Sequence, residues 1–236
     1  MLHRETLEPG TLALIQRLSA DPALKDFALV GGTALALQLG HRISVDIDMF
    51  SPMAFDSKAL RGHLEREYAA ERVGSSLHTV QGMLEKIKAM FLAHRYPWVD
   101  PLLEVDGVRM ASPRDIGAMK LNAIINTDGK RLKDFVDLHV ILEHHNLDSI
   151  LDAFSRKYSE NHPEIAKIVL NDRKNRLDSK VHFLGHKFSM EDMARRLKEA
   201  LQNPRKIFGQ IKSDDVAHRH SRNIEEYRRR NRGRKP

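Results

Sequence analysis

The sequence predicts an α+β protein, with a small mixed sheet and its helices over residues 1–112 and a helical part over residues 113–236. Before residue 112, short segments of period-two apolar alternation recur between helical stretches. After it, the apolar residues keep helical spacing almost to the end. A chain of 236 residues, 41% hydrophobic, is long enough for a sizeable core.

The elements follow in order. TLALIQRLSADPAL places Leu12, Ile15 and Leu18 on one helical stripe. FALV (27–30) reads as a short buried strand that Gly31 and Gly32 end; Thr33 can then start a helix that runs through ALALQL to Gly40. HRISVDIDMF reads as a second strand, with Ile43, Val45, Ile47 and Met49 on one face and Ser44, Asp46, Asp48 and Phe50 on the other. Residues 56–72 look like a charged surface helix, and residues 75–96 return to strands. Asp106-Gly107 suits a tight hairpin turn inside LLEVDGVRM. In SPRDIGAMKLNAI, Ser112 can cap a helix, Pro113 suits its first position and Asp115 favours its positive end. Ile116, Met119, Ala123 and Ile124 form the expected apolar stripe there, as Phe135, Leu138 and Leu142 do in the next helix.

The absence of cysteine excludes a disulfide framework and thiolate metal sites. No apolar run approaches a membrane span, and MLHRETLEPG carries no apolar leader, so a cytoplasmic protein with no membrane partner is expected. The formal charge of +7, concentrated in EEYRRRNRGRKP, favours an anionic partner such as RNA. His144-His145 and His218-Arg219-His220 lack the spacing of a zinc site. Phe183, Phe188 and Phe208 near basic residues are read as core or as base-stacking groups, and Trp98 as loop packing.

The candidate chemistry lies between residues 31 and 48. On a strand, Asp46 and Asp48 would present their carboxylates side by side with Ser44, a repulsive arrangement that a cation relieves. Mg²⁺ or Mn²⁺ suits it, since Mg²⁺ is commonly held by one or two carboxylates together with substrate phosphates; a solvated polar face is the alternative. Gly31, Gly32 and Thr33 supply a backbone turn and a helix start suited to a triphosphate, or simply a turn. The patterns of a P-loop and of a dinucleotide fold are both missing. Lys120 interrupts an apolar helix, either as a snorkelling lysine or as a phosphate contact. Lys133 and Asp137 are four apart, and Asp134 and Asp137 three apart, on neighbouring helical positions, compatible with a surface ion pair. Arg42 stands just before the two aspartates.

GGTALALQLGHRISVDIDMF, together with DIGAMKLNAI (115–124) and KRLKDFVDLHVILE (130–143), resembles the AbiEii/AbiGii-type toxin nucleotidyltransferases of the polymerase-beta-like superfamily. The resemblance spans residues 29–143, about half the chain. It implies a nucleotidyltransferase core followed by a helical domain that closes over the nucleotide. It implies metal-dependent transfer of a nucleoside monophosphate from an NTP to an acceptor hydroxyl, the 3′ end of a tRNA or a protein side chain, and an antitoxin encoded alongside. Carried over residue by residue, Asp46 and Asp48 are the metal ligands. Gly31, Gly32, Thr33, Ser44, Arg42, Lys120, Lys133 and Asp134 serve the nucleotide, and Asp137 is an acid that orients Lys120 or acts near the acceptor.

The superfamily usually carries a third carboxylate on a later strand. Here the corresponding stretch, EKIKAMFLAHRYP, offers Met90, with Glu85 or Glu104 as substitutes if the register differs. The rival expectation is a degraded, RNA-binding or interaction protein on the same scaffold.

Overall fold

The computed structural model describes residues 1–127, 129–171 and 190–209. Helix α1 (Thr11–Ala20) buries Leu14, Ile15 and Leu18, so the expected stripe is shifted and Leu12 lies at its edge. Strand β1 (Ala28–Leu29) leads directly into α2 (Gly31–Leu39), and β2 covers Ile47–Ser51. Helix α3 (Ser57–Glu67) is capped by the Asp56 carboxylate. Strands β3 (Glu71–Ser76), β4 (Thr79–Leu84) and β5 (Ile87–Ala93) follow, then the hairpin of β6 (Leu103–Val105) and β7 (Val108–Met110). Asp106 and Gly107 make its turn with φ of 51° and 74°, as a two-residue turn requires. The rest is helical among the described residues: α4 (Pro113–Asn126), α5 (Leu132–Ile141), α6 (Leu147–Lys157), α7 (Pro163–Asn171) and α8 (Met190–Gln202).

The strands form one mixed seven-stranded sheet in the order β3-β4-β5-β2-β1-β7-β6. β2 runs antiparallel to β1 and parallel to β5. Ile47, Met49, Ala89 and Phe91 are buried on one face, where the Phe91 ring meets Phe27. Asp48, Phe50, Met90 and Leu92 alternate onto the opposite face, where the Phe50 ring meets His94, and His94 meets Tyr158 just after α6. Helices α4 and α5 pack on each other and on α2, and α4 also packs on α6 and α7. No helix among the described residues is long and apolar enough to cross a membrane.

Three local expectations need correction. The strand expected over 27–30 narrows to two residues: Val30 still donates to the Asp48 carbonyl, but the chain turns at Gly31, φ +68°, and the pairing ends there. Helix α2 therefore starts at Gly31, ahead of Thr33. The strand expected from His41 begins only at Ile47, because residues 41–46 are drawn away by other partners: Ser44 N–H donates to the Thr6 carbonyl and Arg42 reaches into α5. Val45 is consequently 43% exposed while Ile47 and Met49 are buried. In α4, Ile116, Ala118, Leu121 and Ile124 are buried, and Met119 and Ala123 lie at the margin.

Ser112 caps α4 as expected, accepting from the Asp115 N–H. Asp115 instead turns to the 97–100 loop, accepting from the N–H groups of Val99 and Asp100 and pairing with the buried Lys157 at 2.9 Å. Removing one partner of such a buried pair leaves the other charge uncompensated. Asp115→Ala should lower the unfolding free energy by about 3–5 kcal/mol in urea titrations.

Candidate functional site

The amino end of α2 is built around two close approaches that only glycine permits. Gly31 lies at φ +68°, and a Cβ there would come within 2.8 Å of Asp48 Oδ2. A Cβ on Gly32 would fall 1.8 Å from Arg42 Nη2. The start of α2 is therefore wedged against the Asp48 carboxylate at Gly31 and the Arg42 guanidinium at Gly32. The N-cap residue, Val30, offers no side-chain cap to this helix start, whose leading N–H groups have no intrahelical acceptor.

Asp46 and Asp48 come together by a route the pleat did not suggest. Asp48 is on β2 and Asp46 is on the loop before it. The Thr33 hydroxyl, from α2, donates to the Asp46 carbonyl and lies 2.8 Å from the Ser44 hydroxyl. Thr33 and Ser44 are both buried, so their hydroxyls hold the loop carrying Asp46. Burial raises the Asp48 pKa above its ordinary value, the neighbouring Asp46 charge adds to this, and Lys120, Lys133 and Arg131 oppose it.

Behind this rim lies a buried charge cluster. Asp137, 0% exposed, accepts from Arg42 Nε at 2.6 Å and Nη2 at 3.0 Å, and from His41 Nε2 at 2.8 Å. Lys120 Nζ stands 2.6 Å from Asp137 and donates to Asp134 at 2.8 Å, while Arg131 pairs with the other Asp134 oxygen at 3.1 Å. Asp134 and Asp137 are thus interior groups, and the surface ion pair between Lys133 and Asp137 does not form. Burial would raise the Asp137 pKa, but Arg42 and Lys120, with hydrogen bonds from His41 and Arg42, hold it well below the ordinary carboxylate range. Arg42 keeps its charge against burial through the same pairing. Lys133 is half-buried and makes no ion pair among the described residues. Burial, then the neighbouring Arg131, Lys120 and Arg42, lower its pKa, and Asp46 opposes them.

Met90 stands directly across from Asp48 in the parallel pairing of β2 and β5. Neither substitute acid comes near. Glu85 pairs with Arg17 of α1, and Glu104 lies on β6, the strand at the far edge. Among the described residues no group of three His, Asp or Glu side chains gathers as a metal cage. That includes His144-His145; His218 and His220 lie outside the described residues, as do Phe183, Phe188 and the basic tail. Phe208 packs beneath Arg196 and Lys206, and Trp98 against Lys157.

His41 is the site residue that sequence reasoning missed. Its signal was position alone, a histidine directly before Arg42 and the two acids.

Asp137→Asn should cost about 3–5 kcal/mol, because Arg42 and Lys120 lose their shared counter-charge. The sign with pH follows from the depressed pKa. The Asp137 contribution is complete above its unfolded value of about 3.9 and is lost as pH falls from there through the folded value. Denaturation midpoints of wild type and variant should therefore converge at acid pH.

A sequence model described as nucleotidyl transferase AbiEii toxin, Type IV TA system, matches residues 13–99 and 91–219. An uncharacterized protein from Aquifex aeolicus (strain VF5), aq_aa25, is 35% identical over 127 residues, which are 52% of this chain and 61% of that protein. The match therefore spans less than two thirds of that relative. A crystal structure described as a candidate nucleotidyltransferase from H. pylori superposes with a TM-score of 0.51 at 20% identity, over 86% of this chain and 93% of the other. JHP933 from Helicobacter pylori gives a TM-score of 0.49 at 17% identity, over 95% and 98% of the two chains. The first superposition speaks for the fold; the family match covers most of the chain and includes the glycine turn, both aspartates and the buried cluster. The chain belongs to the AbiEii family of nucleotidyl transferase toxins.

Proposed function

We propose that the protein transfers a nucleoside monophosphate from an NTP to an acceptor hydroxyl and releases pyrophosphate. One observation carries the reading: the Asp48 carboxylate is seated against the Gly31 Cα at the start of α2, beside Asp46 and in front of the cations Lys120, Lys133 and Arg42. Two carboxylates without a third fit a divalent ion, Mg²⁺ or Mn²⁺, that completes its shell with phosphate oxygens and water. The raised pKa of Asp48, caused by burial first and by the Asp46 charge second, fits as well, since a bound cation would relieve both costs.

The ion would supply charge neutralisation at the transferred phosphate. The chain's own groups bind and orient. The amides of Gly31 and Gly32 and the positive end of α2 receive phosphate oxygens. Lys133, without an ion-pair partner among the described residues, meets the triphosphate as a point charge. Lys120 and Arg42 add a fixed positive field, held in place by Asp134 and Asp137. Thr33 and Ser44 act at one remove, by fixing the loop that carries Asp46. The acceptor oxygen attacks the α-phosphorus, the bond to the β-phosphate breaks, and the acceptor proton leaves to solvent, since Met90 occupies the position across from Asp48. In-line positioning and charge stabilisation provide the rate.

The acceptor is RNA, with a tRNA 3′ end favoured by the basic charge, and a protein hydroxyl as the alternative. Residues 1–112 act as the transferase core and residues 113–236 as the closing helical part. The protein works in the cytoplasm opposite a cognate antitoxin. Met90 favours one second reading, an RNA-binding protein that has lost transfer.

The test incubates the protein with Mg²⁺, each α-labelled NTP and total RNA. Label should enter RNA with wild type and fall at least about 100-fold with Asp46→Asn/Asp48→Asn. Unlabelled RNA retained equally by both proteins would favour the second reading. Mn²⁺ affinity, followed by paramagnetic relaxation, should weaken as pH is lowered, starting above the ordinary carboxylate value because the Asp48 pKa is raised. Met90→Asp should tighten Mn²⁺ binding by placing a third carboxylate across from Asp48.

A further inference from the structure

Beyond the two acids, the same sheet face continues to an open groove of about 600 Å³ between the end of β5 and the end of α6. The path is continuous. The Phe50 ring, two residues after Asp48, meets the His94 ring at 5.3 Å, and His94 meets Tyr96 at 4.8 Å. Ala93 is three residues beyond Met90, the residue paired with Asp48, which puts the groove about 10 Å along the strand from the acids.

The groove has a rigid floor. Lys157 donates to the Pro97 carbonyl at 2.7 Å and pairs with Asp115, fixing the loop after β5. The Tyr96 ring sits edge-on to the buried Tyr158 at 4.6 Å, and its hydroxyl donates to Glu160 at 3.0 Å. Tyr96, partly buried against the core, is thereby a fixed aromatic edge of the groove flanked by two exposed arginines. Arg95 makes no ion pair among the described residues, and exposed Arg156 has a 3.8 Å contact to the exposed Asp152 and a long 3.4 Å hydrogen bond to the Val99 carbonyl.

We infer that this groove binds the single-stranded 3′ end of the RNA acceptor, a base stacking on Tyr96 while Arg95 and Arg156 hold backbone phosphates. The inference rests on the transfer reading above and says where its acceptor lies. An aromatic face between guanidinium groups is the combination that suits single-stranded nucleic acid. The spacing suits it too. At about 3.4 Å per stacked nucleotide, about three nucleotides bridge from Tyr96 to a 3′-oxygen at the acids. A duplex end could not make that reach without unpairing, so a single-stranded overhang is required.

The experiment measures fluorescence anisotropy of the full chain, without NTP, on a labelled RNA hairpin with a four-nucleotide 3′ overhang and on its blunt counterpart. Wild type should prefer the overhang. Tyr96→Ala should weaken that binding about 10-fold, and Tyr96→Phe, which keeps the ring, less than about two-fold. Arg95→Ala/Arg156→Ala should flatten the log–log salt dependence by about 1.4. In transfer assays Tyr96→Ala should raise KM for RNA and leave KM for NTP unchanged. Equal binding of overhang and blunt RNA, unaltered affinity in Tyr96→Ala, equal loss in Tyr96→Phe, or a rise in the KM for NTP would each overturn the inference. Transfer by wild type with an unaffected Tyr96→Ala would sink the groove alone. Overhang binding lost in Tyr96→Ala, with no transfer by any protein, would sink the transfer reading and keep the groove.

Discussion

The structure depends on one buried carboxylate. Asp137 holds Arg42, His41 and Lys120 at once, and so joins α5 and α4 to the loop between α2 and β2. That anchor, with the Ser44 N–H on the Thr6 carbonyl, draws residues 41–46 off the sheet, although their alternating apolar pattern favours simple extension of β2. The loop instead bends, Thr33 fixes its Asp46 carbonyl, and Asp46 arrives beside Asp48. An interior ion cluster stabilises poorly relative to apolar packing. Its retention here has a geometric product, the position of the loop.

The same economy explains the glycine pair. Gly31 and Gly32 face an acid and a guanidinium, respectively, at distances no Cβ tolerates. The helix start, the acid and the cation share one small volume. A side chain at either position would have to displace a charged group that other elements hold in place. Backbone conformation and electrostatics are therefore one constraint at this corner, met by the smallest residue.

Much of this was legible where the determinants are local. The stop at Gly40, the cap at Ser112 and the turn at Asp106-Gly107 follow from residue chemistry over a few positions, and all three are present. The proximity of Asp46 and Asp48 was legible as well, though for the wrong reason: a loop delivers Asp46, where the alternation suggested a pleat. Thr33 and Ser44 read as groups that serve the nucleotide; their hydroxyls are instead buried against each other and the Asp46 carbonyl, a contact set by how α2 packs on the loop before β2. Lys120 read as a snorkelling or phosphate lysine, and its pairing with Asp134 and Asp137 needed the packing of α4 against α5. His41 had no readable role, since no local rule marks a histidine for burial. The Met90 position opposite Asp48 could be expected from the resemblance, but only the parallel register fixes it.

Arg42 and Asp137 are separated by 95 residues in the chain. Closing so long a loop is entropically slow. During synthesis, the glycine turn and both aspartates emerge well before α5 exists. Until α5 docks, Arg42 and His41 have no counter-charge, and the loop bearing Asp46 has lost one of its tethers. The seating of Asp46 beside Asp48 therefore waits on the docking of α5. A still-growing chain carries the two acids before it carries the setting that positions them.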